Sequence, residues 1–215
     1  MLDALTRPQP PALLRWIFKD CLWRVATDDK ILHLTFDDGP QPGITDYVLD
    51  LLKEHNARAT FFCIGSHITA NPLLYKRIIN EGHTAGNHTQ HHLNGWSTSS
   101  PVYYNDIKAC TATMHKHGAL PREALFRPPY GKLTFGQYLH IRRSYRIVMW
   151  DVICYDFLPA VSGEEVLRYV LRYSRNGSIV VMHDSHKAAE KVRYALPRLL
   201  RHFTDKGYKF AALCS

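Results

Sequence analysis

Five separate segments of this 215-residue chain carry Asp, His or Arg in arrangements suited to acid–base or metal chemistry. Asp37 and Asp38 are adjacent at the end of the apolar run Lys30-Ile-Leu-His-Leu-Thr-Phe36. Two neighbouring carboxylates there are costly unless hydrogen-bonded, paired or metal-bound. Neighbours on extended backbone point apart, so one could bind a metal while the other addresses its water. The competing reading is a turn or N-cap pair for the helix that follows Gly39-Pro40. In Asn87-His88-Thr89-Gln90-His91-His92-Leu93, His88 and His92 are four apart, so a helical turn would face both imidazoles one way. A carboxylate from elsewhere would complete a three-ligand site with an open position for water. His91 is a rival at i+3, and in a chain with 13 histidines a His-rich surface turn also explains the pair.

The other three segments offer residues that allow more than one role. His183 follows the apolar stretch Ser178-Ile-Val-Val-Met182; a lone His there is more often structural, yet imidazole is the group best placed to donate a proton near neutral pH. Arg127, ahead of Pro128 and Pro129, could orient a carboxylate bidentately or serve a surface ion pair. Asp151 and Asp156 both follow the apolar segment 146–150.

To act together these residues must be delivered to one end of one sheet. Residues 30–36 read as a buried strand, and Ile44, Val48, Leu51 and Leu52 mark one apolar helix face. The pattern then predicts a strand at 59–65, a helix near 71–81, a short strand near 83–86 and a helix over 102–118 closing at Gly118. Strands follow near 125 and at 146–150, then a helix at 163–175 and a strand at 178–182. Val192, Leu196, Leu199, Leu200 and Phe203 mark the last helix, before a final strand near 208–212. Strands apolar on both faces, alternating with helices, predict an α/β fold with a parallel sheet covered by helices. About seven such units predict a closed or nearly closed barrel. Every polar segment falls after a strand, where barrels of parallel strands build their active sites. That convergence points to an enzyme.

Composition narrows the class. Hydrophobic residues make up 46% of the chain and no Gly/Ser- or Pro-rich stretch divides it, which predicts one domain. Five cysteines (Cys21, Cys63, Cys110, Cys154, Cys214) without a C-x-x-C pair argue against a disulfide framework or a zinc knuckle and predict buried thiols in a reducing compartment. The net charge of +8 suits an anionic polymer, but no nucleic-acid module accompanies it, so no nucleic-acid partner is expected; solvated helix faces are the plainer explanation. Residues 13–20 are apolar but short and interrupted by charge, which predicts neither a signal peptide nor a membrane span. Residues 1–29 are expected to form an N-terminal extension packed on the domain of residues 30–215, with the proline-containing first eleven irregular. The location expected by default is cytoplasmic, with the cell envelope as the alternative if the sequence is trimmed.

Taken in order, Thr35-Phe36-Asp37-Asp38-Gly39-Pro40, His88-Thr89-Gln90-His91-His92, Arg127-Pro128-Pro129-Tyr130-Gly131 and Val181-Met182-His183 resemble the motifs of the polysaccharide deacetylases, carbohydrate esterase family 4, which include the rhizobial chitooligosaccharide deacetylases. The resemblance spans residues 30 to about 212. It implies a distorted (β/α)7-type barrel of mostly parallel strands. It also implies a metal-dependent hydrolase that removes N-acetyl groups from amino sugars of peptidoglycan or a chitin-like glycan. Asp38, His88 and His92 would hold a divalent metal, zinc in most members, with cobalt or nickel as substitutes. Asp37 would be the general base, oriented by Arg127, and His183 the general acid, paired with Asp156. The Tyr130 N–H would help hold the oxyanion, and Trp150 and Val181 would line the acetyl-methyl pocket. One motif departs: Cys154-Tyr155-Asp156-Phe157 stands where the family commonly has Asp-Trp, which alters the pocket wall and leaves Asp151 competing for the role of Asp156. O-acetyl ester hydrolysis, deformylation or cyclic-amide cleavage would suit the same scaffold. A non-catalytic glycan-binding module would not need base, acid and ligands together.

Overall fold

A computed structural model describes residues 7–118 and 124–213. Cys214 and the first six residues, about which the sequence makes predictions, lie outside the described residues. The central strand β1 (Ile31–Asp37) is buried on both faces except at its first residue, as the unbroken apolar run requires. It pairs in parallel with β2 (Thr60–Cys63) on one side and β7 (Ile179–His183) on the other, and at its start with β8 (Lys209–Phe210). β3 (Thr84–Asn87), β4 (Leu125–Phe126) and β5 (Arg146–Ile147) continue beyond β2, and β6 (Val152–Ile153) follows β7. The order is β5-β4-β3-β2-β1-β7-β6, and every pairing of named strands is parallel.

Of the strand expected at 146–150 only β5 forms, at its first two residues, and a second short strand, β6, follows beyond it. β5 pairs with β4 and β6 with β7, the two ends of the order. Between them the Met149 N–H donates to the Leu22 carbonyl and the Asp151 N–H to the Ile179 carbonyl. Because the first and last strands lie so close in sequence, the sheet must curl to bring its ends together. That makes the distorted (β/α)7-type barrel. An apolar run encodes burial, but it does not encode which backbone supplies its partners.

Helices cover the outside. α1 (Ala12–Ile17) lies in the N-terminal segment, and α2 (Thr45–Glu54) buries Val48, Leu49, Leu51 and Leu52. α3 (Gly65–Ala70), which periodicity does not reveal, precedes α4 (Pro72–Asn80), and α5 (Ser100–His117) stops at Gly118 as expected. α6 (Phe135–Ile141) was also not expected. It starts at a capping box in which the Gln137 N–H donates to Thr134 Oγ1 and the Thr134 N–H to Gln137 Oε1. α7 (Gly163–Tyr173) and α8 (Ala189–Asp205) complete the cover. The N-terminal segment packs along the barrel. Leu22 bridges Val148, Arg24 bridges Ser178, and the Ile153 N–H reaches the Pro8 carbonyl. Cys21, Cys63, Cys110 and Cys154 are free and buried, and burial pushes all four thiols up in pKa, which keeps them unreactive. Among the described residues, no helix is long and apolar enough to cross a membrane.

Candidate metal and active site

β1 delivers Asp37 and Asp38 to the C-terminal rim of the sheet, and their backbones part company there. Asp37 ends the strand, whereas Asp38 has φ 79°, in the left-handed region. The carboxylates diverge through that turn, not through the alternation of an extended strand. Asp37 Oδ1 accepts from Arg127 Nη1 at 2.7 Å. Arg127 has a side chain only 1% exposed, and it is held on every side. Its Nη1 also donates to Thr35 Oγ1, its Nη2 to the Met149 carbonyl and its Nε to the Val148 carbonyl, and the guanidinium lies 4.1 Å from the Phe62 ring centroid. A surface salt-bridge role is therefore excluded; the side chain is a buried clamp on Asp37.

Asp38 Oδ1 lies 3.2 Å from His92 Nε2 and 3.8 Å from His88 Nε2. The ligand atoms of Asp38, His88 and His92 all fall within 4.8 Å of one another. The expected helical turn is absent: residues 88–93 form a loop in which Thr89 (φ 63°) and His92 (φ 57°) are left-handed. These two reversals aim the imidazoles the same way. His91 leaves the group, since its Nδ1 pairs with Asp106 Oδ1 at 2.6 Å and its side chain is 63% exposed. His88 Nδ1 is 2.7 Å from the Arg127 carbonyl and His92 Nδ1 is 3.1 Å from the Tyr130 hydroxyl. Each ring thus turns its Nε2 toward Asp38. Burial pushes His88 down to about 4, so it is neutral at physiological pH, the form that ligates. Burial raises the Asp38 pKa, but the bond to His92 and the nearby imidazoles hold it well below the usual carboxylate range. One carboxylate oxygen and two imidazole nitrogens are a donor set that fits a divalent metal.

His183 ends β7 beside Asp37, and Asp156 grips it twice. Its Nδ1 lies 2.7 Å from Asp156 Oδ1, and its backbone N–H donates to Asp156 Oδ2 at 2.7 Å. The competing carboxylate, Asp151, is committed elsewhere: it accepts from Ser178 Oγ at 2.7 Å and Arg15 Nη2 at 2.8 Å. Burial pulls the His183 pKa down, but Asp156, followed by Asp38 and Asp37, raises it to about 9. Tyr130 (φ 60°) occupies a short 3₁₀ turn after Arg127, its ring against His92. Trp150, Val181 and Phe157 join these groups around a cleft of about 500 Å³, together with Arg7, Leu14 and Lys187.

Two supports were not foreseen as site residues. Asp184 accepts from the Gly39 N–H at 3.0 Å and Thr45 Oγ1 at 2.6 Å, which ties down the turn that carries Asp38. A Cβ on Gly39 would meet Asp184 Oδ2 at 2.0 Å, so this glycine is needed for close approach. His67 Nδ1 lies 2.7 Å from the Asp38 carbonyl. The dipeptide His183-Asp184 was a signal for the first; nothing local marks His67.

Residues 24–143 match the polysaccharide deacetylase family. This chain belongs to that family. Over 193 residues it is 35% identical to a peptidoglycan-N-acetylglucosamine deacetylase of Bacillus cereus, covering 89% of this chain and 90% of the relative. It is 28% identical over 202 residues to the peptidoglycan-N-acetylmuramic acid deacetylase PdaA of Bacillus subtilis, covering 90% and 74%. Its fold matches the crystal structure of the Bc1960 peptidoglycan N-acetylglucosamine deacetylase with a TM-score of 0.86 at 30% identity, covering 95% of each chain.

Proposed function

We propose that this polysaccharide deacetylase family member is a metal-dependent hydrolase that removes N-acetyl groups from the amino sugars of peptidoglycan or a chitin-like glycan. The observation that carries the reading is the grouping of Asp38, His88 and His92 within 4.8 Å in the same cleft as Asp37 and His183. Asp38, His88 and His92 are the proposed metal ligands. Zinc is the proposed ion, with cobalt or nickel as substitutes, because zinc favours this mixed O/N set. When bound, such an ion lowers the pKa of water to roughly 7 and polarises the acetyl carbonyl. Residues 30–215 are the proposed catalytic domain and residues 1–29 an extension packed on it. A cell-wall substrate favours the envelope over the cytoplasm as its location.

The chain's own residues then divide the proton work. Asp37, aimed by Arg127, takes the proton of the attacking water. The Tyr130 N–H helps hold the developing oxyanion, and Trp150 and Val181 face the acetyl methyl. His183, cationic below about pH 9, gives its proton to the departing amine, and Asp156 keeps its Nε2 side toward the cleft.

Two results are expected of His183 and its partner. His183→Ala should slow amide hydrolysis roughly 10²–10⁴-fold while sparing esters with good leaving groups, since only the amine requires a proton. Equal losses on both substrates would remove His183 as the acid and favour the O-acetyl esterase reading. Because the active form is protonated and its pKa is raised, activity should fall as pH rises through about 9. Asp156→Asn removes the anion that raises it, so the alkaline limb should move to lower pH; a limb that stays put would detach it from His183. The overall reading is tested by acetate release from chitooligosaccharides, peptidoglycan fragments and acetylxylan, with zinc, with cobalt and after chelation. Acetate from the amino-sugar substrates, lost on chelation, is expected. None from either, or full turnover by metal-stripped protein, would overturn it.

A further inference from the structure

The turn between β7 and α8 places a cation where the chemistry described so far has no use for one. Lys187 lines the catalytic cleft, its side chain 65% exposed, with its ammonium 3.9 Å from Asp38 Oδ2. Among the described residues, Asp38 is the only acid within ion-pair distance of it. The opposite oxygen of Asp38 faces both imidazoles. Once Asp38 shares its charge with a divalent ion, the ammonium loses its counter-charge and is left near a like charge. The other acids of the cleft cannot replace it, since Asp37 is taken by Arg127 and Asp156 by His183. Arg7, exposed and lining the same cleft, adds a second positive charge to its walls. A cleft with surplus positive charge beside the reacting centre favours a substrate that brings its own anion.

We propose that Lys187 is a specificity-determining residue that binds a carboxylate carried by the amino sugar next to the reacting acetamide, so that the enzyme selects acidic amino sugars of the muramic type over neutral ones. The inference rests on the deacetylase reading and narrows it. In a muramic-type sugar the carboxylate belongs to a lactyl group joined by an ether oxygen to the ring carbon next to the one bearing the acetamide. A carbonyl docked at Asp38, His88 and His92 therefore holds that carboxylate a few bonds away, within the sweep of a flexible four-carbon lysine stem. A chitin-like glycan offers no anion there. Lys187 makes no covalent contribution; it acts by a charge-assisted hydrogen bond.

The test compares acetate release by the whole, zinc-loaded protein on three substrates. These are peptide-free peptidoglycan glycan strands, the same strands with the muramic carboxyls converted to methyl amides, and chitotetraose. Wild type should prefer the free acid over its amide by roughly 10–100-fold in kcat/KM, the size of one hydrogen bond to a charged group. Lys187→Met should erase that preference by raising KM for the free acid alone, Lys187→Glu should reverse it, and Lys187→Arg should retain it. A Lys187→Met variant that loses the same factor on all substrates would show that the lysine acts through Asp38, and would overturn the proposal. A wild type indifferent to the carboxyl would do so as well. Acetate from none of the three would instead bring down the deacetylase reading itself, and this inference with it.

Discussion

Replacing His92 or Asp38 with Ala is expected to abolish acetate release and tight zinc binding together. Three side chains make up the proposed site, and zinc in a catalytic site takes three protein ligands with the fourth position open. Loss of a group that only hydrogen-bonds to a metal ligand typically costs 10–100-fold in metal affinity, so loss of a ligand itself should cost at least about 100-fold. The two substitutions need not behave alike as proteins. His92 is partly exposed, and His92→Ala should melt near the wild-type temperature in the absence of metal. Asp38 is buried, and its removal leaves both imidazoles without their neighbour. Zinc titration by calorimetry, run beside the acetate assay, checks the pair of effects. Tight binding retained in His92→Ala would take this histidine out of the site.

Asp37→Asn is expected to separate binding from turnover. The amide keeps the shape and one hydrogen bond to Arg127, but it cannot accept the water proton, so kcat should fall roughly 10²–10⁴-fold. Zinc affinity should stay within a few-fold, because Asp37 faces Arg127 and is not among the three clustered ligands. The change also strips a buried guanidinium of its counter-charge. Breaking a buried ion pair in this way typically costs about 3–5 kcal/mol, and the amide acceptor keeps the loss toward the lower end. Thermal unfolding of the variant, measured with the kinetics, should thus show a lowered but still cooperative transition. A folded, zinc-loaded Asp37→Asn enzyme with wild-type kcat would remove Asp37 as the base.

What the sequence determined by itself was set by local pattern. The apolar runs at 30–36 and 178–182 became the paired central strands β1 and β7 because a strand buried on both faces needs apolar residues throughout. The parallel α/β barrel followed from the alternation of such runs with amphipathic helices. The positions of Asp37, Asp38, Arg127 and His183 at strand ends were equally legible. Tertiary structure decided the rest. It broke 146–153 into two strands, because the hydrogen-bond partners of that segment lie on β4, Leu22 and β7, far away in the chain. It chose Asp156 over Asp151 for His183, since Ser178 and Arg15 claim Asp151. It chose His92 over His91 through left-handed backbone at Thr89 and His92, a conformation that no periodicity encodes. Burial preference is written residue by residue, whereas a partner is whatever the folded chain brings within reach.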